Sequence, residues 1–175
     1  MRYRPQSIIL IFVVIGWLSI SSALAGGHDE LAAWVKKDCD DYRALVIQTN
    51  HARDNHEVAA ALRENVRRQR ETIKILLQFA RSHPDLRDIA QLGLSEDGQL
   101  FWRKHYPDRA TLSSEIKATQ RQLTDCMDSA VSKGQQQQMV AVLRKYPNDG
   151  EILAASKSLN EMWAQSDRSL FEVLR

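Results

Sequence analysis

The sequence predicts an all-α chain, a bundle of four to six helices held by one disulfide and preceded by a cleaved signal peptide. Three observations carry that expectation. Apolar residues recur at steps of three, four or seven through every long segment, which is the period of a helix face. No stretch alternates apolar and polar residues long enough for a sheet strand. The few glycines and prolines mostly punctuate helical patterns rather than interrupt them.

At the amino terminus Arg2 and Arg4 precede an apolar run from Ile8 to Ile20, followed by Ser21, Ser22 and the small-residue ending Ala23-Leu24-Ala25. This is the layout of a secretory signal peptide cut after Ala25. The competing reading is an uncleaved inner-membrane anchor through residues 8–20, but that run of 13 residues falls short of the roughly 20 that a span needs. The division is therefore 1–25 signal peptide and 26–175 one helical domain, periplasmic or secreted from a bacterium, with no stable membrane span after cleavage. Removing Arg2 and Arg4 leaves 22 basic residues against 22 acidic ones. A neutral exported chain is a poor nucleic-acid binder, and that class is set aside.

Gly26-Gly27 reads as a flexible lead-in. The first helix, from Asp29 to about Asn50, aligns Leu31, Trp34, Val35, Cys39, Tyr42, Leu45, Val46 and Thr49. The pattern lapses at His51–Asn55, where Asp54 with Glu57 three residues on resembles an N-cap with its capping-box acid. No proline or glycine enforces a break there, so one continuous helix is the alternative.

The stretch from Val58 to Ala80 has the longest helical period and is the expected centre of the bundle. Its stripe is Val58, Leu62, Val66, Ile73, Leu76, Leu77 and Ala80, interrupted by Gln69. Pro84 must end it near Ser82. A short piece from Asp85 to Leu92 follows, and then Ser95 is placed to cap a helix around Leu100, Phe101 and Trp102 that stops before Pro107.

The next stripe is Leu112, Ile116, Thr119, Leu123, Cys126, Met127 and Ala130, with Lys133-Gly134 read as its glycine C-cap. Gln135–Gln138 reads as the first turn of a further helix ending at Pro147, and the last helix opens near Asp149 or Gly150. Tyr-Pro or His-Pro steps recur at Pro84, Pro107 and Pro147, 23 and 40 residues apart, too uneven for a repeat of helical pairs; they read as helix stops. Cys39 and Cys126 are the only cysteines, and each falls on an apolar stripe. An oxidising compartment favours a disulfide joining the first and fourth long segments over the alternative of two buried free thiols.

Chemistry is thin. His51, Asp54 and His56 cluster, but five residues between the histidines do not stack ligands on one helix face, and no Cys-x-x-Cys-His is present, so neither metal nor cofactor is expected. There is no Gly-x-Ser-x-Gly, His-Glu-x-x-His or phosphate loop. A cell-wall glycan hydrolase using the helix-borne Glu57, Glu64 or Glu71 remains as an alternative.

Two features suit partner binding. The basic ridge Arg63, Arg67, Arg70, Lys74 and Arg81 would face an acidic protein, unless Asp38, Asp40 and Asp41 of the first helix pair with it internally. The irregular segment offers Phe101, Trp102 and Tyr106 beside Arg103 and Lys104, residue types enriched at interface centres, unless it is a capping layer whose rings fill the end of the bundle. The functional expectation is a protein-binding module: an assembly chaperone, an accessory subunit of an envelope machine or an effector-immunity protein.

Overall fold

A computed structural model describes residues 25–109 and 114–175. The signal-peptide region before Ala25, with its anchor alternative, and Leu112 lie outside the described residues. Those residues form six α-helices and two short 3₁₀ segments, without a strand among them. They are α1 (Ala25–His51), α2 (Asn55–Ser82), a 3₁₀ segment (Arg87–Gly93), α3 (Glu96–His105), a second 3₁₀ turn (Pro107–Arg109), α4 (Ser114–Ala130), α5 (Lys133–Leu143) and α6 (Gly150–Leu174).

Local chemistry sets most boundaries. Asp54 is the N-cap of α2 and accepts from the Glu57 amide at 2.9 Å. Glu57 reaches back to the Arg53 amide at 2.8 Å, so the break between α1 and α2 is real although no proline or glycine makes it. Ser95 caps α3 through the Gly98 amide, and Asp149 caps α6 through the amides of Glu151 and Ile152. At the other end of α6, Arg87 and Arg109 donate to the carbonyls of Val173 and Leu174, a favourable place for cations at a helix C-terminus.

Two expectations need correction. Gly26 and Gly27 lie inside α1 rather than forming a flexible lead-in. Gly134 lies in the first turn of α5 and is not the C-cap of α4. The reason is Ser132, which forms a full capping box with Gln135 and starts the new helix two residues before the glycine.

Helix α2 is indeed the centre, with α1 on one side and α6 on the other; α4 and α5 pack on α1, and the Arg87–Gly93 segment closes over α2, α4 and α6. Serving two neighbours, α2 buries more than its apolar stripe: Asn65, Gln69 and Thr72 are buried as well. The core divides in two. One cluster is aliphatic and joins the C-terminal half of α1 to α2, α5 and α6 through Leu45, Val46, Val58, Leu62, Met139 and Ile152. The other is rich in rings, with Trp34, Phe79 and Trp102 among Leu76, Leu123, Met127 and Leu170. Tyr42 packs against both. The Cys39–Cys126 disulfide ties α1 to α4 on the ring-rich side, with the Cα atoms 6.5 Å apart.

No helix among the described residues is long and apolar enough to cross a membrane.

Candidate functional site

The ring-rich half does not close. Between α1, α2, the Arg87–Gly93 segment, α3, α4 and α6 it leaves a cleft of about 710 Å³. Its walls mix apolar side chains, among them Trp34, Leu76, Leu92 and Trp163, with polar ones in about equal share, and Leu100 stands at its edge, 55% exposed.

Two buried side chains four residues apart on α1 each bring an unpartnered polar atom to the lining of the cleft. Trp34 is 4% exposed and its indole Nε1–H has no partner among the described residues. Asp38 is 2% exposed; Gln69 donates to its Oδ1 at 2.8 Å, and its Oδ2 has no partner among the described residues. Burial pushes the Asp38 carboxyl up to about 6; the Gln69 hydrogen bond opposes this, the nearby Asp41 charge adds to it and Lys37 opposes it. Gln69, which interrupts the apolar stripe of α2, and Asp38, a polar residue four places after Trp34 on α1, therefore meet across the helix pair.

Asp41 is settled by contrast: it accepts from Thr72 Oγ1 at 2.7 Å and Lys37 Nζ at 2.8 Å, and Lys37 also donates to the Arg68 carbonyl.

The floor at α3 is held by Asp167 of α6. It accepts from the Ser95 amide at 3.0 Å and from the Ser95 hydroxyl, so α6 grips the residue that caps α3. Gly98 is required there, since a Cβ at that position would lie 2.6 Å from Asp167 Oδ2. Glu96 and Asp97, exposed in the first turn of α3, border the cleft without an ion-pair partner among the described residues; Arg103 is its one basic lining residue.

The aromatic segment splits. Phe101 is 46% exposed and lies between His105 and Phe171, with ring centroids 4.1 and 5.0 Å away. Tyr106 is half-buried, stacked on Trp102 at 4.4 Å. Trp102 departs from the expectation that it faces a partner. It is 1% exposed because, one position on from Phe101 in α3, it turns into the ring-rich core.

The basic ridge is exposed along its length, but not as one unopposed stripe. Arg67 pairs with Glu64 at 2.7 Å, Lys74 with Glu71 at 2.8 Å, and Arg63 with Glu151 of α6 at 3.2 Å. Arg70 and Arg81 have no ion-pair partner among the described residues. The internal pairing with the first helix that the sequence suggested does not form: Asp38 and Asp41 turn inward, and exposed Asp40 bonds Lys36 at 2.5 Å. Neutralisation comes instead from Glu64 and Glu71 one turn away on α2 itself and from Glu151 of α6.

The same ion pairs bear on the hydrolase alternative. Glu57, Glu64 and Glu71 are held below the usual carboxylate range by hydrogen bonds from Arg53, from Arg67 and Arg68, and from Lys74; Glu64 lies at about 2. A general acid needs the opposite shift. His56 pairs with Glu151 at 2.7 Å, and the described residues hold no group of three or more side chains placed to bind a metal ion.

Fold and site together define an all-helical, disulfide-bonded domain with a partly polar cleft beside an exposed aromatic residue. No protein-family model matches the chain, and neither a curated protein nor a solved structure does.

Proposed function

We propose that this chain is an exported module that binds another protein through the face formed by α3 and the cleft beneath it. The observation that carries the reading is the conjunction of Leu100 and Phe101, both exposed on α3, with a cleft of about 710 Å³ opening at Leu100. Large exposed apolar side chains beside a concave surface of mixed polarity favour an interface, and the volume falls within the range of binding pockets. Arg103 and Lys104 add a charged rim to that face, whereas most of the α2 ridge is already paired within the chain. Export is supported by the disulfide, which persists in oxidising compartments, and by the signal-peptide layout of residues 1–25.

A photo-crosslinking residue at position 101, with a second at exposed Lys157 as control, tests this in the native envelope. One dominant adduct from position 101, absent from position 157 and lost in Leu100→Glu, is the expected result. Equal labelling from both positions, or none from 101, overturns it.

A further inference from the structure

We infer that the cleft receives a lysine or arginine side chain of the partner protein, with its cationic head on Asp38 and its aliphatic stem along the apolar wall. The inference rests on the cleft being the partner's seat, as proposed above, and adds the chemistry of what enters.

Four acids line the cleft, Asp38, Glu96, Asp97 and Asp167, against Arg103 alone. Both oxygens of Asp167 are engaged by Ser95, but Asp38 keeps one without a partner among the described residues. A carboxylate buried with half its hydrogen-bonding capacity unused is expensive to keep, and such groups collect where a ligand completes them. An anionic ligand is refused. The N-terminus of α3, which would otherwise attract one, is already capped by Ser95 and flanked by Glu96 and Asp97. A neutral group can bond Asp38 but leaves Glu96 and Asp97 uncompensated.

A basic side chain answers both demands. Its ammonium or guanidinium donates to the unpartnered oxygen of Asp38, and the indoles of Trp34 and Trp163 line the same cleft, where an aromatic ring adds cation–π attraction. Trp34 supplies the complementary group, an unpartnered N–H that bonds a backbone carbonyl of the segment carrying the cation. Leu76, Leu92 and Leu94 flank the methylenes of the stem.

The probes are an acetylated and amidated five-residue peptide with one arginine among leucines, and its citrulline counterpart, which keeps the shape and loses the charge. Calorimetric titration into the oxidised mature chain is expected to favour the arginine peptide by at least about tenfold. Asp38→Asn, which retains an acceptor for Gln69, removes that preference while circular dichroism stays unchanged; Glu161→Gln, outside the cleft, leaves it intact. Should Asp38→Asn not fold, Asp97→Asn at the exposed edge is expected to lower the preference by roughly two- to threefold. Equal affinity for the two peptides, no binding of either, a preference that survives in the folded Asp38 variant, or one left undiminished in the Asp97 variant overturns the inference. The two readings fail separately: an adduct at position 101 whose yield ignores Asp38→Asn ends this inference and spares the binding module, whereas absence of any adduct ends the module.

Discussion

The two halves of the core share α1, α2 and α6 and reach different ends. Around Leu62, Val46 and Met139 the side chains are aliphatic, the helices are regular, and no ionisable group is buried. Around Trp34 and Trp102 the packing uses rings, the chain breaks into a 3₁₀ segment and a short helix, and all three buried ionisable side chains of the described residues, Asp38, Asp41 and Asp167, lie there. Flexible aliphatic chains interdigitate and exclude voids, whereas rigid rings held at the ends of short elements leave space between them. The aliphatic half supports; the ring-rich half opens.

That contrast can be broken first at the disulfide, which lies in the open half and closes a loop of 87 residues. Cys39→Ser with Cys126→Ser should destabilise the fold by about 4 kcal/mol in denaturant titration, on the chain-entropy account. Hydrogen exchange should rise first in α3 and α4 rather than in α5, and uniform loosening would mean that the halves are not distinct.

Identical substitutions sharpen the comparison next. Leu62→Ala, at a position 3% exposed, is expected to lower stability by about 3 kcal/mol, and Leu100→Ala, at 55% exposed, by less than about 0.5 kcal/mol. Similar losses at the two sites would contradict the assigned burial.

Asp38 gives the open half a pH signature. Because its carboxyl is raised from the ordinary 3.8 to about 6, the folded chain holds a proton over that interval which the unfolded chain has released. Stability therefore falls as pH rises from about 4 to 6, by up to roughly 3 kcal/mol. Asp38→Asn should flatten the decline and raise the midpoint of thermal unfolding at pH 7. Glu57, Glu64 and Glu71 act in the opposite sense, since their lowered values make their pairing fade as pH drops through the acid range. An Asp38→Asn chain that loses as much stability between pH 4.5 and 7 as the wild type would contradict the burial of an unfulfilled acid.

The smallest effect belongs to the regular half, where Ser132→Ala removes the capping box of α5 at a cost of about 1 kcal/mol. The loss should appear in thermal melts without altering peptide binding in the cleft.

Much of the architecture was legible from local chemistry. Asp54, Ser95 and Asp149 cap helices where their positions before helical stripes indicate, and Pro84, Pro107 and Pro147 each lie just beyond a helix end. Cys39 and Cys126 were readable as a pair because each occupies an apolar stripe. The same rule misled at Gly134, where a glycine after a stripe resembled a C-cap and the stronger signal was Ser132 with Gln135. Phe101 and Trp102 could not be separated by residue type, since adjacent positions on a helix point about 100° apart and only packing decides which one faces the core.

The helical class, the element boundaries and the cysteine pair follow from the chain alone, because a cap, a proline stop and a 3.6-residue period act within a few residues. The cleft does not. Asp38 meets Gln69 across 31 residues and Asp167 meets Ser95 across 72, so their partners are chosen by how α1 and α6 pack on α2 and how the Arg87–Gly93 segment, packed on α2 and α6, delivers Ser95. Burial then decides the chemistry: the same carboxylate is a solvated, paired charge at Asp40 and, two positions earlier and facing inward, an incompletely bonded acid raised to about 6 at Asp38.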